Sequence, residues 1–467
     1  VPSPLRPRRV GLLLWASLPA LLPAALLLPA ALEAGGPAAG FSHAAGAAAA
    51  QEPLRSEGQS QELTLRVLLR QEAALELAAA AVSLRLEDER GRLLLLLRPG
   101  ETLRLQLEAG GLRAVGAAGV VALPLRPLWL LAADPAAGDG FLLAGKAYRG
   151  RLRLLSEGGV LQAINHIGVE SYLPSVVGSE MPASWPLAAL RAQAIAARTY
   201  ALAQRRPAAA YDVKASVASQ MYRGVVAETA STREAVASTR GQVLMHEDHL
   251  INAVFHSSSG GSTENSGELW SRQLPYLVSV PDADEFSPVR EWQVRFDPEK
   301  LRQTFSEIGG VQRIDVLQTS SSGRVRQARV LGPAGALLLS GSQLRARLGL
   351  RSTLVRFQFD NGTGAGAVAP VPGQSITAAV AARSGNGGQP PPPGGPPPLP
   401  ALEAATAPAP AVVPPGGMAL LAIGRGFGHG VGMSQWGAYG LAMRGESHEQ
   451  ILRHYYRGAQ LRTYTLP

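Results

Sequence analysis

Glu180 is the residue whose type and surroundings best suit acid–base chemistry. It follows an apolar, small-residue run and stands at a turn before a long helix, with Met181, Pro182 and Trp185 as an apolar wall. A carboxyl in such surroundings is costly to ionise, so its pKa should rise. That is what a general acid near neutral pH requires. A structural reading stands beside it: a negative charge near the N-terminus of the following helix is favourable in itself. On that helix Gln193, Arg198 and Tyr200 are polar among alanines and fit a cleft beside Glu180. A solvated face is the bland alternative, and it is preferred for Arg191.

A second group lies at 255–276. His256 stands among serines, but no G-x-S-x-G elbow is present. The Ser-Gly-Gly reads instead as a tight loop whose amides and hydroxyls bind something polar, with Ser258 among them. Trp270 or Tyr276 is suited to stack on a sugar face, and a turn with capping hydroxyls is the plain alternative. The third group is a run from Gly424 to Gly440 with five glycines in its first nine residues. Glycine costs chain entropy, so the pattern implies close backbone approach to a ligand or a strand. It is neither a Walker loop nor a dinucleotide fingerprint, since no Lys-Ser/Thr follows and His429 stands where a third Gly belongs. His429, Ser434 and Gln435 add polar groups at a turn-to-helix junction.

The elements that position these residues read as an α+β fold: mostly short β-strands around a central helix at 186–206, with small C-terminal helices. Ser184 is the expected cap of the central helix and Pro186 lies near its first turn. Leu187, Leu190, Ala194, Ala197 and Ala201 form its apolar stripe. Short apolar runs separated by turn signals make 62–168 β-rich, and 169–360 together with 418–467 form the expected catalytic core. Ser447 and Gln450 fit a capping box at a C-terminal helix. Residues 361–417 are a Pro/Ala/Gly-rich insert expected to be disordered. Residues 1–34 carry Arg6, Arg8 and Arg9 before an apolar stretch, the order of a secretory signal or an uncleaved membrane anchor. A flexible spacer at 35–61 follows.

Composition limits the alternatives. The chain has 467 residues, 17% of them charged, and a formal net charge of +9. The usual charged share is about 25%, and the deficit reflects the Ala, Leu, Gly and Pro tracts. Its cations are almost all Arg, with Lys only at 146, 214 and 300. They are scattered, so no nucleic-acid partner is expected, although a basic protein is drawn to acidic polymers. Without cysteine there is no disulfide, no thiolate chemistry and no Cys-ligated zinc.

Taken together, the segments at 169–200, 220–224, 254–280 and 424–461, with Tyr148, Gly150 and Asn165, resemble the stage II sporulation protein D family, which includes the LytB amidase enhancers. The resemblance covers roughly residues 62–360 and 418–463, and the strings around Glu180 and His429 are long enough to be specific. It implies a lytic transglycosylase that cuts the bond between N-acetylmuramic acid and N-acetylglucosamine in peptidoglycan, leaving 1,6-anhydro ends. Glu180 matches the family's catalytic glutamate, and Gln193 and Arg198 match active-site positions. Tyr200, His256, Ser258, Tyr276, His429, Ser434 and Gln435 are the further expected substrate contacts. Some members bind zinc just before the Gln-x-Tyr-x-Gly motif, but Ala218 and Ser219 stand there, so no metal and no cofactor are expected. Glu170, where the family often has an acid, is taken as structural. The implied partners are peptidoglycan glycan strands and an N-acetylmuramoyl-L-alanine amidase, with a membrane touched only through an N-terminal anchor. The implied location is exported, in the periplasm or cell wall. Two rivals remain: a non-catalytic wall-binding or amidase-enhancing module, and a serine hydrolase using His256 or His429.

Overall fold

The computed structural model describes residues 63–108, 111–117, 119–134, 140–270, 272–360 and 419–464. The expected export segment, spacer and Pro-rich insert lie outside the described residues. Everything described belongs to one compact unit spanning 59–467.

Alternation builds the N-terminal part. In the strand Thr64–Glu72, Leu65 and Val67 are buried, and in Ala74–Ala78 so are Leu75 and Leu77. A seven-stranded sheet and a six-stranded sheet result, and their buried leucines share one core. The first sheet pairs Thr64–Glu72 antiparallel with Val160–Gly168, Thr64 opposite Gly168. Leucine is a modest strand former; here burial of alternate side chains decides the outcome.

Eight helices occur among the described residues: α1 Val169–Glu180, α2 Leu187–Ala203, α3 Ala230–Ala237, α4 Ser266–Leu269, α5 Pro298–Thr304, α6 Gly341–Leu348, α7 Gln435–Met443 and α8 His448–Tyr455. Glu180, expected at a turn after an apolar, small-residue run, is instead the last residue of α1. Pro174 and Gly178 hide a helical spacing that is otherwise complete: Val169, Tyr172, Leu173, Val176 and Val177 are all buried. Gly178 has a packing reason. A Cβ there would lie 2.0 Å from the carbonyl oxygen of Ala227. Gly178→Ala should therefore lower stability by about 1–3 kcal/mol through overpacking. Urea unfolding reads this directly, and an unchanged midpoint would contradict the contact.

Within the expected 186–206, α2 begins one residue later and ends at Ala203. Its N-cap is Pro186 with no side-chain cap bond, so Ser184 does not cap it. Buried alanines at 189, 192, 194, 196, 197 and 201 let α1, α3, α7 and α8 approach closely. At α8 the Ser447 side chain accepts from the Gln450 amide and the Gln450 side chain accepts from that of Ser447, the reciprocal pair of a capping box.

A second hydrophobic core was not foreseen. Trp292, Phe296, Leu301, Phe305, Val330, Leu344 and Leu420 close around α5, α6 and two three-stranded sheets. One sheet places Ala419–Arg425 between Glu291–Phe296 and Val355–Asp360. Asp360 pairs with Ala419 across the sheet. The chain then returns to the first core through the glycine-rich run, α7, α8 and the strand Gln460–Thr463, which pairs with Gln242–His246. Among the described residues no helix is long and apolar enough to cross a membrane.

Candidate active site

Glu180 is half-buried at the C-terminal end of α1. A helix C-terminus disfavours negative charge. One carboxylate oxygen, Oε1, accepts from the Met221 amide at 2.8 Å, and Oε2 accepts from Gln435 Nε2 at 3.0 Å. Burial raises the carboxyl above its ordinary value of 4.5; the two donors and the charge of Arg223 oppose this without reversing it. The group therefore keeps its proton to higher pH than a free glutamate, and its position is fixed from two sides.

A tyrosine and amide network aims the Met221 amide. Tyr172, fully buried on α1, donates to Gln220 Oε1 at 3.1 Å, and Gln220 Nε2 donates to the Ala197 carbonyl on α2 at 3.1 Å. The Tyr222 hydroxyl donates to Asn165 Oδ1 at 3.1 Å, and Asn165 Nδ2 donates to the Arg149 carbonyl at 2.9 Å. The Tyr172 and Tyr222 rings are 4.8 Å apart. Residues 220–222 are thus held between two helices and a sheet. Gly224, with φ of 77°, ends the segment where a Cβ would lie 2.2 Å from the Ala147 carbonyl. Met221, Arg223 and this network were missed as site residues. Their signal was the Gln220 to Gly224 string, which shows no chemistry because its main donor is a backbone amide.

Met221, Tyr222 and Arg223 also line a groove of about 340 Å³ with Arg70, Lys146 and Tyr148. Glu72 lies on it too, tied to Arg70 at 2.5 Å. Cations therefore outnumber carboxylates along the groove.

The other expected contacts divide. Gln435, the first residue of α7, reaches Glu180 rather than serving only a ligand. Gln193 is fully buried on α2, and its amide atoms have no hydrogen-bond partner among the described residues. Tyr200 is half-buried with its hydroxyl bonded to Ser219. Arg198 requires correction. It is 1% exposed and clamps Glu170 through Nε and Nη2, both at 2.8 Å, while also donating to the carbonyls of Val236 and Gln242. Glu170 lies ten residues before Glu180 on α1, about 15 Å along the axis at ~1.5 Å per residue. Arg198 therefore ties α1 to α2 at the end remote from Glu180, and Glu170 is structural as expected.

The buried hydroxyls of Ser258 and Ser434 also require correction, whereas Tyr276 is only half-buried. Ser258 Oγ donates to Asp284 Oδ2 at 2.5 Å inside the fold. Ser434 caps α7 by accepting from the Gly437 amide at 3.1 Å. The Tyr276 hydroxyl accepts from the Asn252 amide at 3.1 Å, and its ring packs on His246. Each satisfies backbone or carboxylate groups of the protein itself.

His256 and His429 lie together, ring centroids 5.3 Å apart, but not at Glu180's hydrogen-bonding positions. Burial, then the neighbouring His429 and Arg324, hold His256 well below its usual range; burial pushes His429 down to about 4. His256 Nδ1 donates to the Val431 carbonyl at 3.2 Å, and its Nε2 has no partner among the described residues. His429 Nδ1 accepts from the Val431 amide at 3.1 Å, and the ring also bonds the backbone of Phe255. Among the described residues neither ring hydrogen-bonds a serine hydroxyl, so the serine-hydrolase reading gains no support from them. Among the described residues no three His, Asp or Glu side chains converge as a metal site.

Residues 157–246, which contain Glu180 and the Gln220 string, match the family model described as Stage II sporulation protein (SpoIID). The amidase enhancer of Bacillus subtilis (strain 168) is 30% identical over 303 residues, 62% of this chain and 40% of that protein. This chain therefore spans well under half of that relative. Stage II sporulation protein D of the same organism is 28% identical over 320 residues, 64% of this chain and 75% of that protein. Its counterpart in Bacillus amyloliquefaciens is 28% identical over 322 residues, again 64% and 75%. Residues 157–246 thus carry a stage II sporulation protein (SpoIID) domain, and most of the chain is similar to stage II sporulation protein D and to the amidase enhancer.

Proposed function

We propose that the chain is a peptidoglycan lytic transglycosylase acting in the cell envelope, with Glu180 as its single acid/base. The observation that carries this reading is one carboxyl, raised by burial and fixed by two donors, one of which is the amide of Met221 on the wall of a basic groove. Most glycosidases use two carboxyls about 5–10 Å apart. Glu170 is spent on Arg198 at the far end of α1, and Glu72 is tied to Arg70. A single carboxyl suffices if the nucleophile comes from the substrate. Glu180 donates its proton to the glycosidic oxygen as that bond breaks. Its carboxylate then takes the proton from the muramic 6-hydroxyl, whose oxygen bonds to C1 and closes the anhydro ring. Proximity within one sugar replaces both the second carboxylate and the attacking water.

The catalytic core in this reading is 169–360 with 418–467, resting on the β-rich 62–168. The basic groove and the net charge of +9 suit the acidic lactyl groups of muramic acid. The second reading, a binding module that serves an amidase, draws on the name of the amidase enhancer relative. Purified protein on peptide-free glycan strands separates the two. Anhydro-muramic ends made by the native chain and absent with Glu180→Ala support catalysis; tight binding without product supports the module.

Gln435 then acts as a positioning residue. Its amide stabilises the Glu180 anion, so Gln435→Ala should raise the Glu180 pKa further. A general acid is active while protonated, so activity falls as pH rises through that pKa. The alkaline limb of kcat/KM should move to higher pH in Gln435→Ala, and a shift to lower pH or none would contradict the assignment.

A further inference from the structure

The β-rich part ends in two free strand edges that share one groove. Among the described residues, Leu93–Leu97 is the outer strand of the seven-stranded sheet and Gly119–Leu123 the outer strand of the six-stranded sheet. Both line a groove of about 290 Å³ that has no residue in common with the groove beside Met221. Leu97, Leu103 and Ala114, buried members of the first core, line it too, so the groove opens onto the core itself. The surrounding chain is apolar and exposed. Leu96 is 49% and Val120 59% exposed, and Leu93 and Leu125 are exposed as well.

An edge strand offers unpaired N–H and C=O groups, and proteins usually guard it with Lys, Pro or other charges. Neither strand carries any of these. A bulge at Leu94 lies outside the stretch Leu95–Leu97 that lines the groove. Such edges need a cover, and their number selects it. One extended peptide pairs with one edge and leaves the other open. A second copy related by a two-fold axis supplies two strands at once, because its own free edges are the complement of these. Charge decides how the copies meet. Pairing the leucine strand antiparallel with itself about Leu95 sets Arg92 opposite Arg98 of the other copy, and like charges directly opposite are destabilising. Residues 114–125 carry no charge, so pairing Leu93–Leu97 with Gly119–Leu123 of the other copy avoids that conflict and continues both sheets. Size fits as well. The groove and its surroundings draw on 93–103 and 114–125, within the roughly 20–30 residues a side of a standard interface.

We propose that this face is a self-association surface, on which two copies of the chain join their sheets edge to edge around the groove. Sedimentation equilibrium should give twice the monomer mass, with a Kd of about 10 µM or tighter. Leu96→Lys and Val120→Lys, both at exposed positions and so without cost to the core, should each weaken the dimer by about tenfold or more. A chain that is monomeric at about 100 µM would overturn the proposal, and so would a dimer indifferent to both changes. Cross-linking tests the arrangement separately. The chain has no cysteine, so Leu96→Cys and Val120→Cys each introduce a single thiol. A short bis-maleimide should join the two variants when they are mixed, and neither variant to itself. Covalent dimer from Leu96→Cys alone would show the leucine strand meeting its own copy, and would overturn the pairing argued from charge.

Discussion

Glu180→Gln is expected to reduce glycan-strand cleavage by about 10²–10⁴-fold, the usual contribution of a positioned general acid–base group. The substitution removes the proton and little else. Gln keeps the shape, and its amide oxygen still accepts from the Met221 amide. The Gln435 amide can turn so that its oxygen accepts from the new NH₂ group. Binding of strands should therefore persist, with KM close to native and the loss confined to kcat. Circular dichroism and thermal unfolding should match the native chain. A loss of less than about tenfold would mean that another group protonates the leaving oxygen. Cleavage lost together with the fold would say nothing for catalysis, which is why the isosteric change is preferred to a deletion.

The second large effect concerns stability. Breaking a buried ion pair by removing one partner costs about 3–5 kcal/mol, because the other charge is left uncompensated. The Arg198–Glu170 clamp is such a pair: the side chains are 1% and 13% exposed. The two halves are not equivalent. Without Arg198, Glu170 can take up a proton or lean on its partial exposure. Without Glu170, the guanidinium cannot deprotonate and keeps only the Val236 and Gln242 carbonyls. Glu170→Leu should therefore destabilise more than Arg198→Met in urea unfolding, and both should act by shifting the midpoint. If Arg198→Met instead leaves stability intact and abolishes kcat, Arg198 belongs to the chemistry after all.

That contrast shows where the sequence is readable. Glu180 is legible because an acid next to Met181, Pro182 and Trp185 is unusual and local. Its partner Gln435 lies 255 residues away, and the other donor is a backbone amide, which no side-chain pattern records. Arg198 and Glu170 are 28 residues apart on two helices. The first of those helices is disguised by Pro174 and Gly178, so their meeting could not be anticipated. Hydroxyls misled in a regular way. Ser258 and Ser434 look the same in sequence whether they face a ligand or complete the protein's own hydrogen bonds. The second core escaped notice because one of its central strands, Ala419–Arg425, enters only after the long Pro-rich stretch.

The most direct test of the central claim is digestion of peptide-free glycan strands in water enriched in heavy oxygen, with the new ends analysed by mass spectrometry. If the sugar's own 6-hydroxyl is the nucleophile, each cut yields a 1,6-anhydro end carrying no label. A labelled reducing end would show that water attacks, and the single-carboxyl account of Glu180 would be wrong.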